Sequence, residues 1–497
     1  MTDLLAALKQ ETTVPNTKGG QYHYTSYNKN LDFFAGINRF SGKQNTQKAF
    51  AQAFRENKNL ALANLLYTLD VREGKGERDN FKDSFIWLCK KEPESALEIL
   101  PYVPKLGRWD YVLCGMATPI EEYVVSMIRN QLLEDNFSDN PSLLAKWLPS
   151  VRTHGKNNPM ANKLAKKLGL TNKEYRKTLT ELRSKINIVE KNLSEKEYQN
   201  IDFEQVPTKA MLKYRNAFNE HMHDEFADYR SAVKNGEKKI NTKGLYCYEI
   251  IKKIKDEYML ETEENEELYD LMWRNQKDFL NGNTTNVLVM ADTSGSMRCD
   301  NGIPMANSLG LATYIAERNH GYFHNHFMTF SSLPVLVEIK GNTIVEKMHS
   351  FKTYVEDTNI DLAFKKLLDT CKKNHIPQED MPSHIIIISD MEFDDGCMSK
   401  GGTNFHGWKK EYEANGYKLP TIIFWNVSTS PKGYPVTEYD NDVCMVSGFS
   451  TSLLEHILDL DHYDPVDSML AILMPYMNMI ARHENALPAD GASEERS

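Results

Sequence analysis

Cysteine is scarce and scattered: seven residues (Cys89, Cys114, Cys247, Cys299, Cys371, Cys397 and Cys444), an odd number with no Cys-x-x-Cys pair. That argues against a disulfide framework or a zinc site, and for a reducing, cytoplasmic setting. No apolar run approaches the ~18 residues of a membrane span, and residues 1–10 lack the charged-then-apolar order of a secretory signal. No membrane partner is therefore expected. Strand signals are nearly absent before residue 280. Also missing is a Gly-x-x-x-x-Gly-Lys phosphate loop, which removes the main sequence support for ATP hydrolysis.

What is present divides the chain in two. Residues 1–40 are polar and without a sustained period, and read as an irregular arm. From residue 46 apolar residues recur at helical spacing for over two hundred residues, with Phe50, Phe54, Leu60, Leu62, Leu65, Leu66 and Leu69 marking two helices broken near Asn57. Further short helices follow, so residues 41–283 are expected to form an all-α, HEAT-like helical-repeat domain, although no strict period is found. The polar run 281–285 is the boundary. After it, short apolar runs alternate with helical patterns, which predicts a doubly wound, Rossmann-like α/β domain over residues 284–484. Residues 485–497 read as a disordered tail.

The second half opens on Asn286-Val-Leu-Val-Met-Ala-Asp-Thr-Ser-Gly-Ser-Met297. The run 287–291 reads as a buried parallel strand, delivering Asp292, Ser294 and Ser296 to its carboxyl end, where open α/β sheets bind ligands. Three hard oxygen donors on one loop suit Mg²⁺ or Mn²⁺. The alternative is a strand end whose Asp and Ser residues cap the next helix. A second apolar strand, 385–389, delivers Asp390 to the same sheet edge, and the polar loop Glu356-Asp357-Thr358 lies between the two. Asp292-x-Ser294-x-Ser296, Thr358 and Asp390 resemble, in order and framing, the metal-ion-dependent adhesion site of von Willebrand factor A domains. The resemblance implies hydroxyl ligation by the serines and the threonine, aspartates that bind directly or through water, and one open position for an acidic protein partner. Two positions depart from the usual pattern: Glu-Asp precedes Thr358 where Gly-Gly is common, and Met391 follows Asp390 where Gly is usual. Asp-Thr-Ser-Gly also approaches the aspartic-protease motif, but the second loop and β-rich frame of those enzymes are missing. Asp394 and Asp395 keep a metal-dependent nuclease in view, though two-metal chemistry clusters more carboxylates. The chain is expected to be non-enzymatic.

The formal charge of −10 conceals a basic island: residues 146–185 hold eleven Lys and Arg against two acids, Glu174 and Glu181. Lys146, Arg152, Lys156, Lys163, Lys166, Lys167, Lys173, Arg176 and Lys177, with His154, are candidate RNA contacts, and Trp147 and Tyr175 are interleaved as potential stacking platforms. The alternative is a solvated helix face. A second candidate is the glycine-flexed turn Arg72-Glu-Gly-Lys75-Gly-Glu-Arg78, read either as a phosphate-approaching loop or as a helix stop followed by an acidic start. The Gly-Lys-Gly-Glu-Arg turn, together with Pro104-Lys-Leu-Gly-Arg-Trp-Asp110, resembles the TROVE-domain Ro autoantigen proteins. Lys146-Trp-Leu-Pro-Ser150 and Tyr175-Arg-Lys177 resemble an uncharacterised family with the same two-domain plan. The Ro resemblance implies a scaffold for structured or misfolded small RNA, its helical repeats closing into a ring. A metal-dependent protein-interaction module without RNA binding is the alternative.

Overall fold

The structure is a computed structural model that describes residues 13–15, 21–153, 156–186, 188–256, 262–330, 333–352, 359–393, 403–428, 433–458, 460 and 462–486. Up to residue 274 it is dominated by helices. Lys43–Glu56 and Lys58–Leu69 are separated at Asn57, whose side chain caps the second helix by accepting from Leu60 N. The second helix is buried nearly all round, which explains its run of Leu and Ala: it is the axis against which its neighbours pack. Arg78–Lys91, Glu121–Phe137, Pro159–Leu168 and Asn172–Lys185 follow, the last opened by a Thr171/Glu174 capping box. A two-residue hairpin, Arg152–Thr153 with Lys156–Asn157, interrupts them.

The predicted irregular arm is not irregular throughout. Gln21–His23 is extended, and Lys29–Gly36 is a helix capped by Asn28 that buries Leu31, Phe33 and Phe34. Eight residues are too few for a clear helical period, so the polar surroundings hid it.

The second half holds a six-stranded sheet: β1 Val287–Asp292, β2 His326–Phe330, β3 Val335–Glu338, β4 His384–Ser389, β5 Thr421–Asn426 and β6 Val443–Ser447. Its spatial order is β3-β2-β1-β4-β5-β6, parallel except for β3, which returns antiparallel beside β2. Every residue of β1 is buried, so both faces of the sheet are covered there, as its unbroken apolar run requires. The strand order reverses between β1 and β4. In sheets of this winding the crevice outside the carboxyl ends of those two strands is where ligands bind.

The two halves interlock. His23 pairs with Tyr434 through both backbone bonds, N to O at 2.9 Å and back at 2.8 Å. Ser447 at the end of β6 donates to Phe34 O at 2.8 Å. The closing helix Pro465–Ala486 lies against helix Lys58–Leu69, with the Tyr67 and Tyr476 rings 5.8 Å apart. Among the described residues no helix is long and apolar enough to cross a membrane.

Candidate functional site

Asp292 ends β1, and Ser389 ends β4 beside it, because Ala291 pairs with Ile388 in register. The Asp292 carboxylate is fully buried; Oδ1 accepts from Ser294 N at 2.9 Å, and Oδ2 accepts from Ser389 Oγ at 2.5 Å. Ser294 Oγ and Ser296 Oγ stand 3.0 Å apart. That is a hydrogen bond between the two hydroxyls, and its length also matches the roughly 3.0 Å between two cis ligands about 2.1 Å from an octahedral Mg²⁺. Asp390 follows Ser389, is 4% exposed, and accepts from Glu392 N at 3.0 Å. Burial, with the Asp390 charge adding to it, pushes the Asp292 carboxyl up to about 6. A cation between the carboxylates would relieve that penalty. Thr358 lies outside the described residues.

The segment after Asp390 answers the departure noted in the sequence. Met391 takes the left-handed conformation, φ 65°, that Gly adopts freely and a side-chain-bearing residue resists. The Tyr22 hydroxyl holds it there, donating to Met391 O and accepting from Phe393 N at 3.1 Å. A residue of the amino-terminal segment thus clamps the loop that carries Asp390.

The basic candidates divide by burial. Lys75 is 1% exposed, and its ammonium donates to Phe34 O and, at 3.1 Å, to Ile37 O. The amides of the turn are also spent: Lys75 N, Gly76 N and Glu77 N donate to Tyr67 O, Asp70 O and Thr68 O at 2.9–3.0 Å. The glycines serve close packing, since a Cβ on Gly74 would lie 2.2 Å from Tyr67 O. Lys75 is therefore an internal strut and not a phosphate contact. Arg72 and Arg78 remain exposed, though Arg72 donates to Lys105 O and Arg78 to the Tyr111 hydroxyl.

In the island, Lys163 and Lys167 pair with Glu121, Lys167 also with Glu122, Lys146 with Glu190 at 3.5 Å, and Lys177 with Glu181 at 3.6 Å. The acids of helix Glu121–Phe137 and of residue 190, outside the basic run in sequence, are brought onto it in space. Arg152, Lys156, Lys166, Lys173 and Arg176 are exposed and have no acidic partner within 4 Å among the described residues. The aromatics do not serve stacking. Tyr175 is buried with its hydroxyl on Pro149 O, and Arg108 covers the Trp147 ring at 4.0 Å. His154 lies outside the described residues.

Two domain families match the chain. A domain of unknown function (DUF2828) matches residues 17–106 and 155–281, and a second domain of unknown function (DUF7788) matches residues 286–483. An uncharacterised protein of Acanthamoeba polyphaga mimivirus is 28% identical over 506 residues, covering 92% of this chain and 87% of that protein. The crystal structure of the Deinococcus radiodurans Ro (RSR) protein aligns over 87% of this chain and 90% of its own, at 12% identity and a TM-score of 0.38. The strand order and the side chains at the sheet edge carry the functional reading, independently of that likeness.

One constellation escaped the sequence. His23, His406 and Asp440 converge so that one ligand atom from each lies within 4.8 Å of the others. His406 Nε2 faces Asp440 Oδ1 at 2.9 Å and its Nδ1 faces Thr403 Oγ1 at 2.8 Å. His23 is 1% exposed, and neither ring nitrogen has a hydrogen-bond partner among the described residues. Burial, with His406 adding to it, pulls the His23 imidazole down to about 4. Burial opposes ionisation of Asp440, but hydrogen bonds from His406 and Thr437 outweigh it and hold the carboxyl below its usual range. The three residues come from an amino-terminal strand, a helix and a loop, with no spacing that could have joined them.

Proposed function

We propose that the chain is a non-catalytic, Ro-like binding scaffold whose second half is a von Willebrand factor A-like module. Asp292, Ser294, Ser296 and Asp390 would hold Mg²⁺ or Mn²⁺, with Thr358 as the hydroxyl ligand implied by the resemblance. A bound cation would supply an open coordination position for a carboxylate of an acidic protein partner. The observation that carries this reading is the pair of buried carboxylates and the 3.0 Å hydroxyl pair at the point where the strand order reverses. Ser389 orients Asp292 through its hydroxyl, and Tyr22 fixes the loop beyond Asp390.

The calorimetric titration of Mg²⁺ into the full chain tests it. One binding event is expected in the wild type, with loss of at least tenfold in affinity for Asp292→Ala. Heat unchanged by that substitution would remove the site.

The helical half would take RNA phosphates on Arg152, Lys156, Lys166, Lys173 and Arg176, exposed cations of the island with no acidic partner within 4 Å among the described residues. Contacts of this kind are sensitive to salt. Fluorescence anisotropy with a structured RNA should show affinity falling steeply between 50 and 200 mM salt, and at least tenfold in Lys166→Glu/Lys173→Glu/Arg176→Glu. Affinity indifferent to both changes would leave the metal-dependent interaction module as the reading.

A further inference from the structure

We propose that His23, His406 and Asp440 form a Zn²⁺ site that staples the amino-terminal strand to the α/β half, separate from the Asp292 centre. Two imidazoles and one carboxylate are donors that suit Zn²⁺ better than Mg²⁺. The low cysteine count, which argued against a zinc site, does not bear on ligands of this type.

The first support is the state of His23. A buried imidazole ordinarily has at least one nitrogen bonded, because a buried polar atom without a partner has lost its water and gained nothing in return. Here neither nitrogen has a partner among the described residues, and the ring lies against His406, centroids 5.9 Å apart and nearly perpendicular. A nitrogen lone pair directed at a cation would satisfy it.

The second support is the orientation of the other two ligands. Thr403 Oγ1 engages His406 Nδ1, so Nε2 is the nitrogen turned toward the cluster. Asp440 Oδ2 accepts from Thr437 N at 2.7 Å and from Thr437 Oγ1 at 3.0 Å, leaving Oδ1 on the same side. Outer bonds of this kind to a ligating imidazole and carboxylate fix the tautomer and the ring. The 2.9 Å separation of Nε2 and Oδ1 is a hydrogen bond without metal. It is also close to the roughly 3.3 Å that separates two ligands of a tetrahedral Zn²⁺ with bonds of about 2.0 Å. Drawing in His23 requires a side-chain movement from separations that are already all within 4.8 Å, with the fourth position taken by water.

The third support is how His23 is delivered. The strand docks through its two bonds to Tyr434, and it can approach because residue 433 is glycine: a Cβ there would meet His23 O at 2.7 Å.

The test uses the full chain, stripped with chelator and titrated, in excess Mg²⁺ that keeps the Asp292 centre filled, with Zn²⁺ and, separately, Co²⁺. The wild type should bind one equivalent of Zn²⁺, show the visible absorption of four-coordinate Co²⁺, and gain several degrees of thermal midpoint with Zn²⁺. His406→Ala and Asp440→Asn should each lose at least about tenfold in Zn²⁺ affinity, whereas Asp292→Ala should retain it. Absence of the Co²⁺ spectrum in the wild type would overturn the proposal even if a variant failed to fold. So would Zn²⁺ binding that both His406→Ala and Asp440→Asn leave unchanged.

Discussion

At the scale of single residues, Tyr22 and Lys75 do work that their neighbours in sequence do not announce. The Tyr22 hydroxyl bonds both sides of Met391, whose left-handed backbone is an uncommon and costly state for a residue with a Cβ. Tyr22→Phe keeps the ring packed against Phe393 but removes both bonds. We expect it to cost about 1–2 kcal/mol of stability, measured by chemical denaturation, and to weaken Mg²⁺ binding severalfold through the loosened Asp390 loop. Full Mg²⁺ affinity in that variant would show that the clamp and the site are independent. Asp292, Ser294 and Ser296 were legible because five consecutive residues put them on one loop directly after a strand. Asp390 was legible because the same strand-then-acid pattern recurred. Tyr22 and His23 were not, since their partners lie hundreds of residues away and nothing local distinguishes them from a polar arm.

At the scale of elements, the turn from Asp70 to Glu77 is the joint between the halves. Asp70 accepts from the Tyr476 hydroxyl at 3.1 Å, Glu73 O accepts from Ser452 Oγ at 2.9 Å, and Glu77 pairs with Arg39 at 3.2 Å. Arg39 in turn lies 4.0 Å over the Phe449 ring. A glycine-flexed basic turn looks the same in sequence whether it faces a phosphate or packs inside; here the carbonyls of Phe34, Ile37, Tyr67, Thr68 and Asp70 decide for the interior. Burial, with Glu77 opposing, brings the Lys75 ammonium down to about 7. In the unfolded chain that lysine keeps its usual value near 10.4. Between these values the unfolded state binds more protons, so stability rises with pH. The penalty of burying the charge is fully present below pH 7 and fades as pH rises toward 10. Relative to Lys75→Met, the wild type should gain on the order of 2 kcal/mol between pH 7 and pH 9, read from denaturation midpoints at both values. A constant difference would mean that Lys75 stays charged throughout. The helices and strands themselves were largely legible: β1, β4 and β5 from unbroken apolar runs, and helix Lys58–Leu69 from its leucines and the break near Asn57. The helix Lys29–Gly36 was too short to show a period.

For the whole molecule, the boundary near residues 281–285 separates two grammars of sequence but not two free bodies. The amino-terminal segment lies on the α/β half, the helix Pro465–Ala486 lies on the helical half, and Lys75, Arg39 and Tyr434 are buried or half-buried between them. A cooperative unit of this kind should melt in one calorimetric transition whose measured enthalpy equals the van't Hoff value. Two resolved transitions would show that the halves unfold separately. The pairing of His23 with Tyr434 also has a consequence for biosynthesis. A ribosome adding about 5–20 residues per second needs roughly 20–80 s to travel from the first of these residues to the second. Throughout that interval the His23 backbone and the Phe34 carbonyl wait for Tyr434 and Ser447, so the amino-terminal segment can take its final seat only after the last sheet strands emerge.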